Sequence, residues 1–409
     1  EAYTRLLELN PEDEKSIQSA AAHHRRAGRP ERALELVTNY AKTRATPEQQ
    51  AYAHYLVANE HLQQGNAAEA EKTLLAGEGT AETVEIARAL AKFYMQVANR
   101  PEKASEWCAN AVERARRMKS PLLPTVLEEE IACLLHRKVN DIERARKDVD
   151  ELRLGFPDHA RGLLWESEIH GRTGDIERAI AALSDYLTKR PNDPNALYQR
   201  ARHLVARGRL GAAIEDLGAV KRTKPLALEL QPRLLLARLQ LRSGRKDLWL
   251  AELESLAKDA PDSAAAVEEL ARAYLQEKRL DDADRIVTAQ INRTAKSPAA
   301  PTPVSVGAIN SDGRWFLLRG RISLDLGDGN KALADFRRGA EVSDFSPETV
   351  TNVLTAYLRL GRFAEGVEYF ESRRAGSGEK PTAISPNARE RWGEHSLLVS
   401  RYAQLLAKA

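Results

Sequence analysis

A small residue returns along this chain at a nearly fixed interval, and that interval limits what the chain can fold into. GRPERALEL (28–36), GNAAEAEKTL (65–74), GDIERAIAAL (174–183), GRLGAAIEDL (208–217) and GDGNKALADF (327–336) share one grammar: Gly, four residues, Ala, and a large apolar residue four positions later. A form without the Gly appears in NRPEKASEW (99–107), NDIERARKDV (140–149) and KRLDDADRIV (278–287). The recurring alanines are Ala33, Ala70, Ala104, Ala145, Ala179, Ala213, Ala283 and Ala332, spaced by 37, 34, 41, 34, 34, 70 and 49. The long gap of 70 is split by GRKDLWLAEL, which carries Trp249 at the Ala position. A last copy, GRFAEGVEYF (361–370), carries Gly366 there, 34 residues after Ala332. The chain therefore reads as ten copies of a unit with a base period of 34, a sign of a repeat architecture.

Eight copies have a second small residue upstream of the turn: Ala21, Ala58, Cys133, Ser167, Ala201, Ala237, Ala271 and Gly320. Lys92 and Leu354 stand at that position in the two other copies. A small residue on each of two helices lets their axes approach to the short end of about 8–10 Å. Gly or Asn at the turn accepts the positive φ that ends the first helix. Pro11, Pro157, Pro191, Pro225 and Pro261 close units, because Pro stops one helix and is tolerated at the start of the next.

These features resemble the tetratricopeptide repeat, most fully in LLWESEIHGRTGDIERAIAALSDYLTKRPND (163–193) and LYQRARHLVARGRLGAAIEDLGAVKRTKP (197–225). The resemblance runs over roughly residues 12–372. It implies an all-α fold: a right-handed superhelical solenoid of about ten helix-turn-helix repeats with a C-terminal capping helix. On this reading residues 1–295 hold repeats one to eight, and a Pro-rich loop is inserted at 296–313, where the spacing of 49 exceeds the period. Repeats nine and ten occupy 314–374, a linker spans 375–387, and residues 388–409 form the helix that covers the end of the stack.

Composition agrees. The 409 residues are 43% hydrophobic and 30% charged but only 6% aromatic, as expected of packed amphipathic helices. Lys and Arg total 62 against 59 Asp and Glu, a net charge of +3, so nucleic acid is not expected as a partner and any basic surface must be local. No apolar run approaches the ~18 residues of a transmembrane helix. The first residues, EAYTRLLELNP, read as helical, show no signal peptide and are expected to belong to something longer, in the cytoplasm or the periplasm. Oligomeric state is not encoded in the pattern.

The chain carries no phosphate loop, HExxH, CxxC, GxSxG or dinucleotide fingerprint, so no catalytic role, cofactor or metal is expected. DLGDGN (325–330) lacks the ligand order of a calcium loop and reads as a turn between helices. The only two cysteines, Cys108 and Cys133, fall on the second helix of one unit and the first helix of the next; stacking of successive units allows them to be neighbours, and the sequence does not set their distance. They read as small buried apolar side chains or as a redox-sensitive pair.

The resemblance also implies where a partner would lie. In such repeats one side of the first helix lines a concave groove, and the residue after the first small site faces it. The early copies place Ala22, Asn59, Phe93, Leu134 and Glu168 there; the later ones place Arg202, Arg238, Arg272 and Arg321. Tyr198 and Asn195 share the face of Arg202, and Tyr55 and Tyr52 that of Asn59. A row of arginines suits forked bonds to carboxylates or phosphates, and acids such as Glu268 are the competing partners. Within YQRARHLVARGRL (198–210), Arg200 is expected to be solvated, with Arg207 and Arg209 placed at a helix C-terminus. The Lys and Asn set of the family's carboxylate clamp is absent, so chaperone-tail binding is not implied. The expected function is a non-catalytic scaffold holding a partner protein or an extended acidic peptide. The alternative is a solenoid binding a polyanion, acidic polysaccharide or nucleic acid, as in the similar long repeats of bacterial exopolysaccharide secretion systems.

Overall fold

The computed structural model describes residues 14–221, 226–296, 311–343, 345–375 and 396–409, and all regular structure among them is helical. Among the described residues ten helix pairs follow one another. They are α1 (Glu14–Arg26) and α2 (Pro30–Lys42), α3 (Pro47–Gln63) and α4 (Ala67–Thr80), α5 (Val84–Gln96) and α6 (Pro101–Arg117), α7 (Leu123–Leu134) and α8 (Ile142–Gly155). Next come α9 (Arg161–Arg172) and α10 (Ile176–Lys189), α11 (Pro194–Ala206) and α12 (Leu210–Lys221), α13 (Leu226–Arg242) and α14 (Lys246–Asp259). The last pairs are α15 (Ala264–Gln276) and α16 (Leu280–Lys296), α17 (Ser311–Asp325) and α18 (Gly329–Val342), α19 (Pro347–Leu360) and α20 (Phe363–Ala375). Helix α21 (Ser396–Leu406) ends the chain. Within each unit helices pack on their sequence neighbours, as α3 with α4 and α17 with α18, and first helices of successive pairs also touch, as α3 with α5 and α17 with α19.

The turns follow from the repeat grammar. Gly28, Gly65, Gly174, Gly208, Gly244, Gly327 and Gly361 all have φ between 70° and 84°. The three copies without Gly fill that left-handed position with Asn99, Asn140 and Lys278, at φ 51°, 50° and 56°. Asn tolerates this region through its short polar side chain, whereas Lys does so at a cost. Helix starts carry Pro30, Pro47, Pro101, Pro194 and Pro347 in the first turn, where no backbone N–H is needed. Asp193 caps α11 by accepting from the amides of Asn195 and Ala196 at 2.9 and 3.1 Å. Asp328 of the DLGDGN turn caps α18, accepting from the Lys331 amide at 3.0 Å.

The small residues sit at the helix contacts. Ala33, Ala70, Ala104, Ala145, Ala179, Ala213, Ala283 and Ala332 are all fully buried, as are Ala201, Ala237 and Ala271. A Cβ on Gly320 would meet the Phe336 ring at 3.1 Å. Trp249 is buried in its Ala slot, in one cluster with Ala237, Leu253 and Ala271.

Residues 1–216 and 217–409 form two compact units, where the repeat pattern alone marks no break. In the second unit α21 packs against α19 and α20 through Leu398 and Leu405, and Tyr402 stacks on Phe370 with ring centroids 4.0 Å apart. The inserted loop falls largely outside the described residues, apart from Lys296 and Ser311–Gly313, which are helical; so do the linker, apart from Ala375, and the start of the terminal helix.

Candidate functional site

Cavities lie against the first helices of both units, among them three in the first unit. Ala22, Tyr52, Tyr55 and Asn59 line one of about 660 Å³. Tyr55 also lines the next, of about 530 Å³, with Arg88, Lys92, Met95 and Cys133. The Tyr52 and Tyr55 rings lie 5.6 Å apart between these two spaces. A third cavity, of about 410 Å³, is lined by Glu168, Arg172, Arg202 and His203. Arg202 is exposed and its guanidinium lies 6.0 Å from the Tyr198 ring centroid; it makes no ion pair among the described residues. Asn195 is exposed one turn further on but does not line this cavity.

In two repeats the register of the expected row is wrong. Phe93 and Leu134 are buried at 4% and 1% exposure. In α5 the buried small residue is Ala91, so the residue that follows it and reaches the cavity is Lys92. In α7 the exposed Ala132 takes that place, one position before the buried Cys133.

The second unit holds a cavity of about 730 Å³, bounded by α15, α17 and α19. Arg272, Arg314, Arg321 and Arg359 line it together with Glu268 and Glu348. Glu268 accepts from Arg272 at 2.5 Å and from Arg314 at 2.9 Å, so one carboxylate engages two of the four cations. Arg321 and Arg359 make no ion pair among the described residues. Arg238 is not part of this lining; it is exposed and paired with Glu269 of the next first helix. Of the expected arginine row, then, Arg272 and Arg321 share one groove, Arg238 is neutralised beside it, and Arg202 belongs to the other unit. Arg359 lies outside the expected row because it stands one helical turn beyond Thr355, the position equivalent to Arg321, and Thr355 lines the same cavity.

The remaining arginines of residues 198–210 differ from expectation. Arg200 is not solvated: it grips Asp216 through Nε and Nη2 at 2.9 and 2.7 Å and donates to Ser184 Oγ at 3.2 Å. Arg207 and Arg209 both hold Glu177 of the preceding repeat, at 2.7 and 2.9 Å, beyond any effect of the helix end. No group of three or more His, Cys, Asp or Glu side chains is arranged to hold a metal among the described residues. None of their helices is long and apolar enough to cross a membrane.

A family model described as tetratricopeptide repeat matches residues 134–194, 166–227 and 234–286. Among solved structures the chain is similar to a tetratricopeptide repeat protein from Parabacteroides merdae, with 17% identity and a TM-score of 0.40 over 68% of this chain and 99% of that one. It is similar to PilF from Pseudomonas aeruginosa, with 18% identity and a TM-score of 0.42 over 55% of this chain and 99% of that one. The Cut9–Hcn1 hetero-tetramer of the APC/C aligns over 99% of this chain and 92% of that one, at 12% identity and a TM-score of 0.35. No curated protein matches the sequence.

Proposed function

The chain is a tetratricopeptide-repeat protein, and from that premise we propose that it is a non-catalytic scaffold whose second unit holds an extended acidic segment of a partner protein. Repeats of this kind mediate protein–protein interaction through the inner surfaces of stacked helices. The observation that carries the acidic preference is Arg321. It is exposed, makes no ion pair among the described residues, and shares a groove of about 730 Å³ with Arg272 and Arg359. A guanidinium left without a carboxylate presents a planar fork that matches one. Asn352 and Thr355 line the same groove and supply groups for a peptide backbone. In the first unit, Arg202 beside Tyr198, and Tyr55 beside Asn59, offer separate contacts.

A polyanion needs many free cations along its track, because affinity comes from counterion release at each phosphate or sulfate. Arg238 and Arg272 are already paired with Glu269 and Glu268, which favours a protein segment with a few well-placed acids.

Fluorescence anisotropy with a labelled Asp/Glu-rich peptide and its Asn/Gln counterpart tests the reading. The acidic peptide should bind the native chain, and Arg321→Ala with Arg359→Ala should weaken it by roughly tenfold or more, a loss of about 1.4 kcal/mol. Arg238→Ala should change it by much less. Equal binding of both peptides, or no loss in the double variant, removes the acidic groove from the argument. Displacement by an acidic polysaccharide but not by peptide would favour the polyanion.

A further inference from the structure

The two cysteines meet at the wall of a cavity. Cys108 on α6 and Cys133 on α7 place their sulfurs 2.9 Å apart, and both thiols are free and buried. A disulfide needs about 2.05 Å, so closure asks for an approach of roughly 1 Å or less between side chains that already face each other. Both residues also line the cavity of about 530 Å³ that holds Tyr52, Tyr55, Arg88 and Lys92, within the range of small-molecule pockets. The pair is thus buried among side chains yet reached from the groove.

We propose that Cys108 and Cys133 are a redox modification site, a dithiol that closes to an internal disulfide by exchange with a low-molecular-weight disulfide entering along the Tyr55 groove. The roles of the two sulfurs differ. The Cys108 thiol donates to the Glu129 carbonyl oxygen at 3.7 Å and shares a contact of 2.9 Å with the Cys133 sulfur, in which either sulfur can donate. Its hydrogen bond to Cys133, together with burial, pushes Cys108 above the ordinary thiol range, and the same bond draws Cys133 below it. Cys133 is therefore the attacking sulfur, since the thiolate is the nucleophile.

The exchange balances without any further oxidant. The Cys133 thiolate attacks one sulfur of the small disulfide, a mixed disulfide forms on Cys133, and the first small thiolate leaves and takes the proton that Cys133 lost. Cys108 then gives up its proton and attacks the Cys133 sulfur. The protein disulfide forms, and the second small thiolate leaves and takes that proton. Two protein thiols are oxidised and one small disulfide is reduced to two thiols. Lys92, exposed on the cavity wall, favours a disulfide that carries carboxylates, such as oxidised glutathione. The product would tie the second helix of the third pair to the first helix of the fourth, joining two repeats at the groove wall.

The chain has only these two cysteines, so thiol counting gives an unambiguous readout. The whole native chain is equilibrated in glutathione buffers from reduced to oxidised, quenched with N-ethylmaleimide and mapped by mass spectrometry. The proposal expects two alkylated thiols at the reducing end, none at the oxidising end, no retained glutathione, and one internal Cys108–Cys133 link. Cys108→Ser should hold glutathione on Cys133, while Cys133→Ser should acquire it on Cys108 at least roughly tenfold more slowly, as expected of the less reactive thiol. Two alkylatable thiols surviving the oxidised buffer, or links between chains in place of the internal one, overturn the site. That result comes from the unmodified chain and does not depend on either variant folding. If Cys133→Ser reacts as fast as Cys108→Ser, the assignment of Cys133 as the attacking sulfur is wrong.

Discussion

Arg200 holds Asp216 by two parallel bonds of 2.9 and 2.7 Å, and Arg319 holds Asp335 by two bonds of the same lengths. The match extends further. Each Arg stands immediately before its first small site, Ala201 or Gly320, and each Asp stands three residues after the second, Ala213 or Ala332. The third arm also matches: Arg200 reaches Ser184 Oγ and Arg319 reaches Thr288 Oγ1, both on the second helix of the preceding repeat. One side chain therefore fastens its own two helices and the repeat before them. The acids are nearly buried, at 8% and 6% side-chain exposure, so a lone Asp left there would have no compensation.

Replacing Arg200 with Ala should therefore cost more than an ordinary surface substitution. Breaking a fully buried pair costs about 3–5 kcal/mol. Arg200 is about a quarter exposed, and solvent screening brings the expected loss to about 2 kcal/mol. Arg200→Lys should recover only part of it, because an ammonium cannot form the fork. Arg200→Met with Asp216→Leu should recover most of it, since neither charge then remains unpaired. Urea unfolding followed by circular dichroism checks the order: Ala least stable, Lys intermediate, the apolar pair near the native chain. An Ala variant as stable as the native protein would mean that the fork is ornamental.

Lys278 offers a gain instead. It occupies the left-handed turn position that seven other repeats give to Gly, at φ 56°. An L-residue there costs about 1–2 kcal/mol, partly offset by the greater chain entropy that Gly would lose on folding. Lys278→Gly should stabilise the second unit by about 0.5–1 kcal/mol. The same change at Asn99 or Asn140 should give less, because Asn already tolerates this conformation. Paired thermal melts of the three variants check the ranking.

This contrast shows which parts of the molecule were readable in advance. The turns and helix contacts are steric, and a steric demand selects Gly, Asn or Ala at one position; Gly208, Asn140 and Ala201 were legible because nothing else on the chain had to be known. The arginine row was legible only where the small site was intact. Lys92 stands at that site by the repeat spacing, yet Ala91 fills it in the fold, one residue earlier. Pairing was the least legible. Arg238 meets Glu269, Arg207 meets Glu177 and Arg362 meets Asn330, at separations of 31, 30 and 32 residues. Such partners are set by how one repeat stacks on the next. A reading that treats each repeat alone leaves these arginines free.

Gly366 answers for the last repeat, where Leu354 takes the first small site and Gly the second. A Cβ on Gly366 would lie 2.9 Å from the Tyr357 Cβ and 3.1 Å from Leu405 of α21. The bare Gly366 lets Tyr357 and Leu405 approach, and the terminal helix lies in the space so made. Gly366→Val should displace α21 and loosen it before the rest of the second unit, at a cost of about 1–3 kcal/mol from overpacking. Hydrogen exchange over 396–406 should quicken while that over α15 stays unchanged. Uniform quickening through the unit would show that Gly366 serves the whole stack and not the cap.

Glu130 and Asp148 bring a pH dependence of unusual sign. Glu130 is 1% exposed at its side chain, accepts from Arg144 and lies near Asp148, which Arg116 approaches at 3.6 Å. Burial pushes Glu130 up to about 7, with repulsion from Asp148 adding to it, and burial pushes Asp148 up to about 6; Arg144 and Arg116 pull the other way without cancelling it. The ordinary values are 4.5 and 3.8, so between about pH 4.5 and 7 the folded chain binds more protons here than the unfolded one. Stability from this pair is then greatest at the acid side and falls as pH rises through the folded values. Paired carboxylates elsewhere, such as Glu177 and Asp259, are drawn below their ordinary values and act only at lower pH. Glu130→Gln keeps an acceptor for Arg144 and removes the titration. Relative to the native chain it should gain stability progressively from about pH 4.5 to about pH 7.5, on the order of 2 kcal/mol by the upper end. Urea midpoints of the two proteins across that range give the difference directly, and a constant offset would show that Glu130 stays ionised in the fold.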